Sequence, residues 1–153
     1  MTAVIFIGIQ ASGKTTFYRE KFLKTHVRLS LDMFKTRHRE MLFFETCIAA
    51  KQSFVVDNTN ASIGERARYI KQARAAGFRV IGYYFQSRLQ DSIERNRLRQ
   101  GKERIPDKGV MGAAGRLELP SLAEGFDELW YIRMDGGGSF VIEAWRDAAG
   151  RPE

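Results

Sequence analysis

Eight residues near the start of the chain, Gly8-Ile9-Gln10-Ala11-Ser12-Gly13-Lys14-Thr15, follow the pattern GxxxxGK[ST] and stand directly after the apolar run Val4-Ile5-Phe6-Ile7. A strand that ends in such a loop and leads into a helix is built to hold phosphate. Glycines let the backbone curl around the anion, successive N–H groups and the helix N-terminus face it, and Lys14 reaches the terminal phosphates of a nucleotide. Thr15 offers a hydroxyl of the kind that ligates magnesium. Gln10, Ala11, Ser12 and Thr16 complete the expected nucleotide-binding set with Gly8 and Gly13. The alternative for the same residues is a Gly-rich turn whose lysine is merely solvated.

Three further constellations could act on what such a loop holds. In Phe54-Val55-Val56-Asp57-Asn58-Thr59-Asn60 a short apolar strand ends in an acid followed by turn formers. Asp57 there holds magnesium through water or orients a catalytic side chain; as an ordinary turn former it caps its own backbone. In Ser30-Leu31-Asp32-Met33-Phe34-Lys35, Asp32 stands at the start of a helix expected from about residue 33. It serves there as an N-cap, or as the carboxylate that accepts a proton from an acceptor hydroxyl, with Lys35 one helical turn on to hold an acidic acceptor. Finally, Glu94-Arg95-Asn96-Arg97-Leu98-Arg99-Gln100-Gly101 reads as an arginine-rich lid helix ahead of the loop 102–107. An arginine on a mobile lid can neutralise charge on a transferring phosphoryl group.

These groups must be brought together by the elements between them. Strand-like runs at Val4–Ile7, Phe54–Val56 and Val80–Phe85 alternate with longer helical stretches, the pattern of an α/β fold with a mainly parallel sheet covered on both faces. About five strands are expected, with the one ending at Asp57 beside the one ending at Gly8, since both must serve one phosphate site. Capping boxes at Ser62 with Glu65 and at Ser87 with Gln90, and glycines at 77 and 101, predict helices over 63–76 and 88–100. Further helices are expected after the phosphate loop, over 33–50 and over 108–117. Strands are expected near 129–132 and 139–143, with a turn at Gly136-Gly137-Gly138.

A chain of 153 residues, 44% hydrophobic and 28% charged, fits one globular domain. Its apolar runs are too short to cross a bilayer and no secretory leader precedes the first strand, so a cytoplasmic location is expected. Cys47 is the sole cysteine, and its apolar neighbours mark it as core packing. The formal net charge of +7 favours polyanionic partners. Basic residues gather at Arg66, Arg68, Lys71 and Arg74 and again from Arg88 to Lys108, where a solvated helix face is the plainer reading of any one of them.

Taken together, residues 3 to about 132 resemble the polynucleotide 5′-hydroxyl kinase family, the phosphate-loop kinases of phage, bacterial and animal nucleic-acid end healing. Beyond the loop, the stretches that look like the animal kinase domain are Val56-Asp57-Asn58-Thr59-Asn60, Arg66-Ala67-Arg68-Tyr69, Ala73-Arg74-Ala75-Ala76-Gly77 and Leu122-Ala123-Glu124-Gly125-Phe126. The resemblance implies one phosphate-loop kinase domain with a lid at about 95–108, ATP and Mg2+ as cofactors, and 5′-hydroxyl ends of DNA or RNA as acceptors. It further implies that Asp32 is the general base, that Lys14 and Thr15 serve the ATP phosphates and magnesium, and that Arg99 acts from the lid. Asp57 matches the aspartate of the family's D-x-T-N motif.

Two departures stand out. Leu31 occupies a place where the family commonly has arginine, and Lys35 replaces the phage enzyme's acceptor-phosphate arginine without its bidentate fork. The chain length also leaves no room for the phosphatase or ligase modules often joined to such kinases. A small-molecule or tRNA-linked kinase, or a non-catalytic ATP-binding module, would use the same donor loop.

Overall fold

The computed structural model describes residues 1–86, 96–98 and 105–146. Its strands are Thr2–Ile7 (β1), Val27–Leu29 (β2), Phe54–Val56 (β3), Arg79–Phe85 (β4), Glu128–Met134 (β5) and Phe140–Ala144 (β6). They form one six-stranded sheet in the order β2-β3-β1-β4-β5-β6. All pairs are parallel except β5 with β6. Helices lie at Lys14–Lys21 (α1), Leu31–Phe34 (α2), Arg37–Ala50 (α3), Ile63–Ala75 (α4) and Asp107–Arg116 (α5).

The central strands are continuously apolar because both of their faces are covered. Ala3, Ile5 and Ile7 of β1 face a cluster with Phe44 of α3 and Tyr69 and Ile70 of α4. Val4 and Phe6 face the other way, onto Phe17 and Tyr18 of α1. Phe6 is fully buried, with ring centroids 5.8 Å from Phe17 and 5.0 Å from Phe85. Truncating such a ring to alanine costs about 3–5 kcal/mol.

Local signals set most helix ends. The Ser62 hydroxyl accepts from the Glu65 N–H at 3.1 Å, as its capping role requires, whereas the Glu65 carboxylate accepts from the Ala61 N–H and so completes only a shifted version of the box. α4 stops before Gly77, whose φ of +86° suits only glycine well. The glycine turn at 136–138 joins β5 to β6.

The sheet has one strand more than expected, the short edge strand β2. The expected 33–50 helix is two helices. α2 ends at Lys35, whose φ is +75°, and Thr36 then caps α3 by accepting from the Arg39 N–H at 3.1 Å. The expected 88–100 helix, with Ser87, Gln90, Arg95, Arg99 and Gly101, lies outside the described residues except for Asn96 and Arg97, which are helical, and Leu98. Among the described residues no helix is long and apolar enough to cross a membrane.

Candidate active site

β1 delivers the phosphate loop to the carboxyl edge of the sheet, where open α/β folds bind their ligands. A Cβ on Gly8 would sit 2.9 Å from Ser12 Oγ and 3.1 Å from Phe85 Cβ, so the loop closes only over glycine. Gly13, with φ +98°, caps α1, and a Cβ there would meet Met134 Cε and approach Phe140 Cε1 to 3.1 Å. Ala11 also takes a left-handed conformation, φ +64°. The curl is held from inside: Ser12 Oγ donates to Ile9 O at 2.7 Å, and Lys14 Nζ donates to the carbonyls of Gly8 and Ile9 at 2.8 and 2.9 Å. Lys14 is thereby centred in the loop it was expected to serve. Gln10 Oε1 is buried with no hydrogen-bond partner among the described residues, and Thr16 Oγ1 accepts from Arg19 at 3.5 Å.

Asp57 lies at the end of β3, next to β1, as the chemistry of one shared site demanded. It is buried at 6% exposure, and its Oδ2 accepts from Thr15 Oγ1 at 3.1 Å. The hydroxyl and the carboxylate expected to serve magnesium are thus in contact. No group of three or more His, Cys, Asp or Glu that could hold a metal exists among the described residues. One hydroxyl, one carboxylate and phosphate oxygens form the kind of partial set that magnesium takes beside a nucleotide. The residues present therefore fit both a nucleotide phosphate and magnesium, Gly8 and Gly13 by letting the loop curl tightly against the sheet and Thr15 with Asp57 by their oxygens.

The Asp57 and Asn58 side chains do not cap their own turn but reach out of it. Asn58 Oδ1 accepts from the Leu31 N–H at 2.8 Å, while its Nδ2 donates to Glu40. Asn60, at φ +47°, donates to Phe6 O at 2.7 Å, and Thr59 O accepts from the Gly8 N–H at 3.1 Å. Residues 57–60 therefore tie the phosphate loop to the segment that carries Asp32. Asp32 itself is exposed, in the first turn of α2, and makes no hydrogen bond or ion pair among the described residues. The helix begins two residues earlier than expected: Ser30 is the N-cap residue, so Asp32 is not a cap. Lys35 lies at the helix end in a left-handed conformation and not one regular turn along the same helix.

Several residues of this region escaped the sequence reading. Arg28 on β2 donates Nε to Asp57 Oδ2 at 2.8 Å and lies 3.4 Å from Thr15 Oγ1 through Nη2. Glu40 is fully buried on α3 and accepts from Arg37, Tyr69 and Asn58. Burial first, and then the bond to Glu40, raise the Tyr69 phenol well above its ordinary range, which keeps it a neutral donor. The spacing of Glu40, Phe44 and Cys47 is that of one buried helix face, and it was the available signal. Arg66, grouped above with the surface basic residues, is instead fully buried: it pairs with Glu124 at 2.8 Å and donates to the carbonyls of Asn60 and Ala61. It braces the turn and is withdrawn from any polyanion. Downstream, Asn96 is buried against Ile105, and Arg97 pairs with Asp107 at 2.7 Å. Arg99 lies outside the described residues.

This loop, sheet order and paired Thr15 and Asp57 define a nucleotide-binding domain of the phosphate-loop kinase type. The chain belongs to the AAA domain family (AAA_33), which matches residues 4–120. It is 24% identical over 127 residues to the bifunctional polynucleotide phosphatase/kinase of Schizosaccharomyces pombe, covering 80% of this chain but 31% of that one. The chain thus spans about a third of that curated relative's length. Its fold is similar to that of Chaetomium thermophilum Kti12 in complex with ADP-AlF3, with a TM-score of 0.62, 17% identity and coverage of 87% and 89% of the two chains. A gluconokinase from Sinorhizobium meliloti 1021 is similar at a TM-score of 0.59 and 15% identity, with 86% and 82% covered.

Proposed function

We propose that the protein is an ATP- and magnesium-dependent kinase that transfers the γ-phosphoryl group to 5′-hydroxyl ends of DNA or RNA. The observation that carries this reading is the turn 57–60, which holds Thr15 of the donor loop through Asp57 and the Leu31-Asp32 segment through Asn58. Donor and acceptor machinery are thereby fixed to one short piece of backbone. The similarity to the polynucleotide phosphatase/kinase supplies the acceptor class.

In this reading the loop amides and Lys14 bind the nucleotide phosphates, and Thr15 and Asp57 would hold magnesium. Magnesium when bound neutralises charge building on the phosphate oxygens. Asp32 takes the proton of the acceptor hydroxyl as its oxygen bonds to the γ-phosphorus and ADP departs. Lys35 holds acceptor phosphate, and Arg99 acts from the lid. Exposure of the unpartnered Asp32 carboxylate suits a base that must meet an incoming hydroxyl.

The test is incubation with γ-labelled ATP, Mg2+ and a 5′-hydroxyl oligonucleotide. Label on the oligonucleotide, lost when its 5′ end is already phosphorylated, is the expected result. Lys35, a point charge where the phage enzyme has an arginine fork, favours a second reading as a small-molecule or tRNA-linked kinase. Under that reading the oligonucleotide stays unlabelled while a small or tRNA acceptor is labelled; a non-catalytic ATP-binding module would label neither.

A further inference from the structure

Large apolar side chains gather in the open immediately after Asp32. Met33 is 51% exposed, and Leu42 and Phe43 on α3 are each 50% exposed. Phe34 lies against Phe43 in a parallel stack, ring centroids 4.4 Å apart and planes 9° from coplanar. Phe34 packs on the core beneath, so it fixes the orientation of the outer ring. The break at Lys35 makes this stack: by ending α2 and turning the chain into α3, it folds Phe34 back beside Phe43.

Two cations, Lys35 and Arg39, flank the patch in the chain. Arg39 stands four residues before Phe43 and three before Leu42, so these three share a helix face. Lys35 and Arg39 are both exposed, and their side chains make no ion pair among the described residues. Unpaired cations beside an exposed aromatic ring match a chain of anionic phosphates carrying flat bases, because each base has a π-face to stack and each phosphate a charge to neutralise. An apolar protein partner would explain the rings but not the unpaired cations around them.

We propose that Phe43, backed by Phe34, is a stacking platform for the bases at the 5′ end of a single-stranded acceptor, with Lys35 and Arg39 contacting the phosphates that follow. This deepens and rests on the polynucleotide reading of the same site. Phe34, which backs the platform, stands two residues after Asp32, so a base held on Phe43 belongs to the 5′ end that carries the reacting hydroxyl. It selects for single strands or frayed ends, since the face of a terminal base is free to stack in full only when the end is not paired.

The test uses the full chain and two 3′-fluorescein oligonucleotides with 5′-hydroxyl ends. One has ordinary bases throughout; the other has its first two nucleotides replaced by abasic tetrahydrofuran units, leaving phosphates and hydroxyl in place. Phe43→Ala and Phe43→Leu are each expected to weaken anisotropy-measured binding of the first by about 5- to 150-fold. Neither should change binding of the second, and Phe43→Trp should restore the first. Because Phe43 is half exposed, its variants should stay folded with melting temperatures only a few degrees lower, the loss of the Phe34 stack, and Leu keeps apolar bulk while removing the π-face. Equal losses on both oligonucleotides, or unchanged binding of both, would overturn the platform, and the second outcome assigns the patch to a protein partner. If wild-type protein phosphorylates both oligonucleotides while Phe43→Ala shows no base-dependent loss, the kinase reading survives and the platform does not. If wild-type protein binds and phosphorylates neither, both readings fall together.

Discussion

The guanidinium of Arg28 lies on the carboxylate of Asp57, Nε to Oδ2 at 2.8 Å, while Asp57 is only 2% exposed at its side chain. A fixed cation therefore rests on the two groups, Asp57 and Thr15, that are proposed to serve magnesium. Two cations sharing one carboxylate oxygen repel, so Arg28 should weaken the metal. Arg28→Gln is expected to bind Mg2+ about 10-fold more tightly in the presence of ADP, the size of a partly screened charge–charge interaction. Calorimetric titration of Mg2+ into the protein with ADP reads this directly, and identical isotherms for the two proteins would show that Arg28 stays clear of the metal.

Asp32→Asn separates catalysis from structure more cleanly than the sequence promised. Ser30 holds the cap position and Asp32 is exposed, so asparagine should leave the melting temperature within a degree or so of wild type. Phosphoryl transfer should nevertheless fall by about 10²–10⁴-fold with ATP affinity retained. Near-normal transfer by this variant would remove Asp32 as the base.

Two arginines of the lid region should behave differently. Arg97 is engaged with Asp107 in an exposed pair, whose loss costs at most about 1 kcal/mol. Arg97→Ala should therefore change turnover little. Arg99→Ala should lower it by about 10³-fold if Arg99 meets the transferring phosphoryl group. Parallel kinetics on the two variants decide the point, since matched losses would indicate a diffuse electrostatic face.

Removing the buried carboxylate of Glu40 leaves the Tyr69 and Asn58 donors without their acceptor and Arg37 with only the Tyr69 hydroxyl. Arg37 is 40% exposed at its side chain and can rehydrate, which moderates the penalty. Glu40→Ala should destabilise the fold by about 3 kcal/mol in urea unfolding. Because Asn58 also anchors Leu31, acceptor KM should rise alongside. A variant as stable as wild type would show that the network is not closed in solution.

Burial lowers the pKa of His26 below its ordinary value, and the positive α-amino group adds to the effect. The folded state thus binds a proton less readily than the unfolded chain, whose histidine titrates near about 6.5. Stability from this group is complete above that value and is lost as pH falls from it through the folded pKa. Melting temperature should drop between about pH 7 and 5. His26→Gln should show a smaller drop over the same window, and an unchanged pH slope would place the acid sensitivity elsewhere.

Residues with a local signature were readable in advance. The loop 8–15 announces itself by spacing, and Ser62 and Gly77 bracket α4 because capping and left-handed geometry are properties of a few neighbouring residues. The adjacency of β1 and β3 followed from chemistry, since Asp57 had to reach Thr15. What escaped was set at a distance. β2 is three residues, Val27–Leu29, and exists as a strand because β3 pairs with it. Arg66 sits among basic neighbours in sequence, and only its partner Glu124, brought in by the fold, makes it a buried brace. The break at Lys35 carries no glycine or proline to mark it, so the helix pattern ran straight through.

The packing of Met134 and Phe140 against Gly13 bears on how the protein is made. The side chains that close around the last glycine of the phosphate loop, Met134 and Phe140, are synthesised well over 100 residues after it. Such long-range closure is slow relative to local helix formation. A nascent chain therefore carries an open, unfinished loop while the intervening elements are made, and the nucleotide site is assembled only when β5 and β6 have emerged and joined the sheet.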